Sequence, residues 1–264
     1  MTKKVLWQEM LRHELEGARE QRPVVIVPTG SVEQHGPACP LDVDISIPQA
    51  MAVRAAEAVD EFPVLVAPAV WSGYTHYNMG FIGTISLRLE TYNGLITDIC
   101  RSIHQNGFHR IILLNGHGGN RNPNQVLAVN LSQEDIYVLA LTYWEMLWDE
   151  MKRWGERDSH IGHGGEWETS LQLYLRPQLV DQSRAKCEHY PEYFGPYHAF
   201  ARFPERRRHT PFGVEGDGRV ASAEKGEKLF KAGVEKLVGV CRKYHEIEPP
   251  HYQHGEWGRM KDER

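Results

Sequence analysis

The chain has 264 residues, 41% hydrophobic and 25% charged, with a formal net charge of −5 and a pI near 6.3. That length suffices for one large α/β domain, and no shift in composition divides it. The mild acidity excludes a general attraction to nucleic acid or anionic membranes, and no apolar run approaches a membrane-spanning length.

Leu6, Met10, Leu11 and Leu15 recur at helical spacing and predict an amphipathic helix before the first strand. Val24-Val-Ile-Val-Pro28 reads as a buried strand. The loop after it, Gly30-Ser-Val-Glu-Gln-His-Gly-Pro-Ala-Cys-Pro-Leu-Asp-Val-Asp44, gathers Glu33, His35, Asp42 and Asp44. The alanine-rich segment from Ile47 to Val59 predicts a helix with Pro48 in its first turn. Pro63-Val-Leu-Val-Ala67 reads as a second strand, followed by Trp71-Ser-Gly-Tyr-Thr-His76. Thr91 to Asn106 is helical and stops at Gly107. Arg110-Ile-Ile-Leu-Leu114 is a third strand and leads into Asn-Gly-His117-Gly-Gly-Asn120. A helix from Asn124 to Leu131, a fourth strand from Ile136 to Leu141 and a helix from Glu166 to Leu175, ended by Pro177, come next. Lys186 to Val220, rich in proline and aromatics and carrying Arg206-Arg-Arg208, predicts an extended arm or loop. Ser222 caps a last helix from Ala223 to Tyr244.

Apolar strands separated by helices predict a mostly parallel sheet covered on both faces. In such sheets the ligand site lies beyond the carboxyl ends of the strands. Glu33 and His35 follow the first strand, His76 the second and His117 the third. Alternation points Glu33 and His35 to one side, and the flanking glycines let the loop approach an ion. His117 sits between glycines that contribute no packing side chains, which favours a ligand over a core histidine. In His160-Ile-Gly-His-Gly-Gly-Glu-Trp-Glu-Thr-Ser170, two glutamates open a helix, where the macrodipole favours carboxylates regardless of function. His163 beside two glycines is not explained that way, so it is assigned proton transfer and one of the glutamates a metal. Trp71, Tyr74, Trp144 and Trp167 are candidates for a flat aromatic pocket, with the core as the competing place for Trp144. His76 is an open candidate for substrate contact. Four scattered cysteines without a Cys-x-x-Cys pair suit a reducing cytoplasm, and the opening Met1–Met10 lacks the apolar core of a signal peptide.

Taken in order, Gly-Ser-x-Glu-Gln-His-Gly-Pro, Pro-Leu-x-x-Asp, Phe-x-Gly-Thr-Ile-Ser-Leu, Asn-Gly-His-Gly-Gly-Asn and His-Gly-Gly-Glu-x-Glu-Thr-Ser resemble the creatininase (creatinine amidohydrolase) family. The closing Gly213-Val-Glu-Gly-Asp217 and Ala221-Ser-Ala-Glu-Lys-Gly226 extend the resemblance over almost the whole chain. It implies a single three-layer α/β/α domain, two divalent metal ions (zinc, manganese or iron) and a homo-oligomer, commonly a homohexamer. Glu33, His35, Asp44 and His117 match the family's metal-ligand positions, with Asp44 bridging both ions. Asp42 falls at a variable position, outside the ligand set. His163 matches a position near the substrate in the creatinine-hydrolysing branch. That branch has a glutamate ligand two residues after the Asn-Gly-His histidine, where this chain has Gly119. Glu168 is therefore taken as the fifth ligand, with Glu166 second in line and otherwise a proton-transfer group beside His163. Tyr74, His76 and Trp167 are assigned to the substrate. Ala38 and Ile82 replace a histidine and a proline common among relatives, so creatinine itself is not assigned.

The implied activity is hydrolysis, by metal-activated hydroxide, of a non-peptide C–N bond in a cyclic amide, amidine or formamide. The alternative within the same chemistry is cleavage of a C–C bond in a cyclic, inositol-derived ketone. A non-catalytic metal- or metabolite-binding protein is the alternative outside it, supported by Gly119 alone.

Overall fold

The runs of Val, Ile and Leu pair with one another into a single sheet. The computed structural model describes residues 3–189 and 206–248. β1 (Val24–Thr29) lies between β2 (Val64–Val66) and β3 (Arg110–Asn115), with β4 (Val138–Thr142) on the far edge. Every pairing is parallel, and the register sets Thr29 beside Asn115 and Asn115 beside Thr142. The carboxyl ends of three strands thus finish level. The chain leaves β1 towards β2 and returns to place β3 on the other side, so the switch point lies between β1 and β3.

Period-two alternation divides each buried strand between two cores. Val24 and Ile26 of β1, with Ile112 and Leu114 of β3, meet α2 (Val43–Ala58), α6 (Glu166–Leu175) and α7 (Ala223–Glu246). Val25 and Val27, with Ile111 and Leu113, meet α1 (Arg12–Arg19), α3 (Leu89–Gln105) and α4 (Arg121–Ser132). The result is a three-layer α/β/α fold. Helix α5 (Trp148–Trp154) follows the 3-10 turn Tyr143–Leu147 after β4. Among the described residues no helix is long and apolar enough to cross a membrane.

Two helices depart from expectation. The N-terminal helix starts only at Arg12, preceded by a 3-10 turn at Trp7–Glu9; Leu11 is its exposed N-cap, and its backbone N–H donates to the Glu14 carboxylate at 2.7 Å. Helix α2 starts before Ile47: the Asp42 carbonyl accepts from Ile45 (3.1 Å) and Ser46 (2.9 Å), which brings Asp44 into the first turn. Pro48 consequently lies inside the helix, and having no N–H it leaves the Asp44 carbonyl without its usual helical donor. Gly30 and Gly116 pack against that carbonyl so closely that an added Cβ would lie 2.5 and 2.1 Å from it. Those two glycines let the loops after β1 and β3 converge on the start of α2.

Ser222 caps α7 as expected, accepting from Lys225 N at 3.2 Å. Of the arm expected over 186–220, residues 190–205 lie outside the described residues. Its described ends form a short antiparallel pair, β5 (Cys187–Glu188) with β6 (Gly216–Asp217). A backbone bridge also ties Glu215 to His163.

Candidate metal centre

Loop by loop, the carboxyl ends of the strands deliver six buried side chains to one place. Glu33 and His35 come from the loop after β1, Asp44 from the first turn of α2, and His117 from the turn after β3. His163 comes from the loop before α6 and Glu168 from its first turn. Their ligand atoms form three overlapping groups: Glu33–Asp44–His117, His35–Asp44–Glu168 and Glu33–His35–His163. Asp44 belongs to the first two, one oxygen to each side. Its Oδ1 lies 3.0 Å from His35 Nε2, and its Oδ2 lies 2.9 Å from His117 Nδ1.

All three histidines are oriented in the same manner. His35 Nδ1 donates to the Glu33 carbonyl (3.1 Å), His117 Nε2 to the Tyr74 carbonyl (3.1 Å) and His163 Nε2 to the Gln34 carbonyl (2.6 Å). A carbonyl can only accept, so those nitrogens carry the protons and the opposite ones face the carboxylates. His35 Nε2 is 3.5 Å from Glu168 Oε2, and His117 Nδ1 and His163 Nδ1 are each 3.4 Å from Glu33 Oε1. Lone pairs of neutral imidazoles would then face carboxylate oxygens, which repel unless a proton or a cation lies between them. Backbone-anchored imidazoles presenting the free nitrogen inward are how histidine ligands are held in metal sites.

The electrostatics point the same way. Burial opposes a charge on His35, yet the carboxylates of Asp44 and Glu168 raise it to about 9. His117 is likewise driven well above its ordinary value by Glu33 against the effect of burial. Burial, with the Asp44 charge adding to it, pushes the Glu168 carboxyl up to about 7. Burial would also raise Glu33, but the His117 charge overrides it and carries it well below the carboxylate range. The cluster thus gathers positive charge wherever it can. Asp44 Oδ2 has no hydrogen-bond donor among the described residues. Carboxylate and imidazole donors without a thiolate, around an orphaned buried oxygen, fit divalent cations of the zinc, manganese or iron type.

Around this cluster the loops are braced by amides. Thr75 Oγ1 and Asn78 Nδ2 (2.9 Å) hold Glu33 Oε2, leaving Oε1 for the histidines. Asn115 grips the His117 backbone twice, accepting from its N–H at 3.0 Å and donating to its carbonyl at 2.7 Å. Asn120 ties Tyr74 N to the Gly30 carbonyl. Asn115 and Asn120, at either end of the glycine-rich turn, act as loop clamps.

A cavity of about 220 Å³ opens onto the cluster. Glu33, Asp44, His117, His163 and Glu168 form its polar end, and Trp144, Trp148, Tyr77 and Ile161 contribute walls. Trp144 serves both readings, since it lines the cavity and also packs in the core.

Several expectations are corrected. Glu166 does not reach the cavity. Its carboxylate accepts from the backbone N–H groups of Glu156, Arg157 and Asp158 at 2.9–3.1 Å and pairs with Lys225 Nζ at 2.8 Å. An offset of two residues along α6 turns it to the other side of the helix from Glu168. Trp167 is fully buried in the core and donates its indole N–H to the Asp158 carbonyl at 2.7 Å. Tyr74 takes part through its backbone carbonyl, and its ring is not among the cavity walls. His76 is exposed, 3.0 Å from Ser86 Oγ, and Trp71 is exposed too; neither lines the cavity. Asp42 is taken up in a two-pronged pair with Arg176, both contacts at 2.7 Å. Sequence reasoning missed Tyr77, Trp148, Arg206 and Glu215 as lining residues. Arg206-Arg-Arg208 was a visible signal, although a charge run alone does not say which arginine turns inward.

Gly119 is required by this architecture. A Cβ there would lie 2.2 Å from the Tyr74 carbonyl and 2.5 Å from His117 Nε2, the very pair whose hydrogen bond orients that ligand. Gly119→Glu is therefore expected to displace His117 and destabilise the fold by about 1–3 kcal/mol, without adding a ligand. Metal analysis and the melting temperature check this. A variant with intact stability and higher metal content would contradict it.

The creatinine amidohydrolase family model matches residues 8–241. The chain is 33% identical over 238 residues to the creatinine amidohydrolase of Pseudomonas putida, covering 83% of this chain and 88% of that protein. It is 31% identical over 217 residues to the mycofactocin precursor peptide peptidase of Mycolicibacterium smegmatis, covering 79% and 80%. A solved creatininase structure in its manganese form superposes with a TM-score of 0.78 at 31% identity, over 93% of this chain and all of that one. With fold, family model and relatives in agreement, the chain belongs to the creatininase family and is a metal-dependent hydrolase.

Proposed function

We propose that the protein holds two divalent cations and hydrolyses a non-peptide C–N bond in a small cyclic amide, amidine or formamide. The observation that carries this reading is the double membership of Asp44. Glu33, Asp44 and His117 would hold one ion, and His35, Asp44 and Glu168 the other. When bound, the pair supplies an activated water near neutral pH and polarisation of the scissile carbonyl.

The chain's own groups supply the rest. His163 keeps its Nε2 proton on the Gln34 carbonyl, so Nδ1 is the atom free to accept a proton and pass it to the leaving nitrogen. Burial, reinforced by the Arg206 guanidinium and by His35, holds its imidazole well below the ordinary range and therefore neutral at pH 7. The His35 ring stacks on it with centroids 4.1 Å apart, which fixes its plane. Trp144, Trp148 and Ile161 exclude water from one side of a space smaller than the roughly 300–1,000 Å³ of drug-sized sites. Such a space suits a substrate of few atoms. Free thiols at Cys39, Cys100, Cys187 and Cys241 fit the reducing cytoplasm. Exposed Trp71, Met79, Ile82 and Ile85 fit burial in a homo-oligomer.

The test is turnover by the metal-loaded protein on a panel of cyclic amides, formamides and inositol-derived ketones. Release of amine, ammonia or formate is expected. Ketone cleavage without any C–N hydrolysis would refute the bond assignment and favour the C–C alternative.

A further inference from the structure

Arg206 is a buried cationic group of the cavity lining that the reaction above leaves without a task. It is 3% exposed and lines the cavity together with His163 and Glu215. Its Nη2 donates to Glu215 Oε2 at 2.7 Å, and its Nε, fully buried, has no partner among the described residues. Glu215 is itself fixed to His163 by two backbone hydrogen bonds, each 2.8 Å. The guanidinium is thereby anchored to the same bridge that carries the proposed proton-transfer residue.

Two other arginines show a different pattern, while Arg110, whose Nε is also buried without a partner among the described residues, lies away from the cavity. Arg176 spends its donors on both oxygens of Asp42, on Ser46 Oγ and on Gln172 Oε1, away from the cavity. Arg219 likewise takes both oxygens of Asp217, at 2.8 and 2.7 Å. Arg206 instead gives a single nitrogen to a single oxygen, which leaves the rest of its fork uncommitted in a residue that lines a substrate-sized space. Buried guanidinium donors left unmatched are costly, and their planar fork matches a carboxylate.

We propose that Arg206 is a specificity residue that receives a carboxylate carried by the substrate, so that the substrate class is acidic amides or formamides. This rests on the hydrolase reading and narrows it.

The experiment uses the metal-loaded full chain with two probes that share one formyl C–N bond, N-formylglycine and the neutral N-formylglycinamide. Affinity is read by quenching of tryptophan fluorescence, and hydrolysis by formate release. The acid is expected to bind at least about tenfold more tightly, and Arg206→Gln to shrink that preference to about twofold or less. The double variant Arg206→Gln/Glu215→Gln removes both partners of the pair and reads the same ratio if the single variant does not fold. Equal affinity for the two probes in the unaltered protein, or a preference that survives in both variants, overturns the inference. The second result would assign the preference to the cations alone. Selective binding lost in the variants but without formate release supports the inference while counting against this substrate assignment for the hydrolase. Formate release from both probes at equal efficiency, with Arg206→Gln unchanged, does the reverse.

Discussion

Asp44→Ala is expected to lower kcat/KM by about a thousandfold or more while leaving the fold in place. The side chain is the group shared by the two triads assigned to the candidate ions, so its removal takes a donor from both at once. Metal chemistry is worth several kcal/mol to such reactions, and about 4 kcal/mol corresponds to a thousandfold in rate. Stability of the metal-free chain should change little, because Asp44 pairs with His35 and His117 at 3.0 and 2.9 Å but also repels the Glu168 carboxyl and raises it. The metal-free variant should therefore melt within a few degrees of the unaltered metal-free chain. Added Zn²⁺ or Mn²⁺, which stabilises whatever folded state binds it, should raise the melting temperature of the parent but much less that of the variant. Full activity in Asp44→Ala would remove the basis for the site.

Glu166 and Glu168 are expected to exchange the roles that their shared position at the start of a helix makes look equivalent. Glu168→Ala should cost about a thousandfold in turnover and little in stability, since the carboxylate gives up one protein hydrogen bond, from Gly164 N at 2.6 Å. Glu166→Ala should leave metal content near normal and cost about 3–5 kcal/mol. It strands three backbone N–H groups of 156–158 and takes one acceptor from the Lys225 ammonium, which keeps Glu156 and the Val220 carbonyl. For a chain of this size that is a fall in melting temperature on the order of 10 °C. Thermal scans beside steady-state rates separate the two. Metal loss in Glu166→Ala with an unchanged melting temperature would reverse the assignment.

The fold was legible wherever burial acts on both faces of a strand. Val24–Pro28 and Ile111–Leu114 are apolar without interruption because helices cover them on each side, and their short length and β-branched residues favour strands. Glu33, His35, Asp44 and His117 were legible because glycine-flanked polar groups after such strands have no packing role. Glu166 was not, because Glu and Glu two apart on a helix carry identical local signals, and only the path of 156–158 decides which one is consumed by backbone donors. The start of α2 was misplaced for a related reason: Pro48 marks a first turn by local rule, whereas Asp42 opens the helix through its carbonyl. Trp167 illustrates the limit for aromatics. Its indole N–H found a partner inside the core, so a polar handle did not have to mean a binding surface. Arg206 and Glu215 lie far along the chain from Glu33 and reach the cavity through the bridge to His163, which no periodicity announces.

In the proposed site the loop after β1, the start of α2, the turn after β3 and the start of α6 would grip a common pair of cations. An anomalous-scattering map from crystals of the metal-loaded protein measures it directly, giving the number of ions and the side chains around each. Two peaks are expected, with Asp44 touching both, Glu33 and His117 on one, and His35 and Glu168 on the other, at ligand distances of about 2.0–2.2 Å. A single peak, or a pair that Asp44 does not bridge, would contradict it.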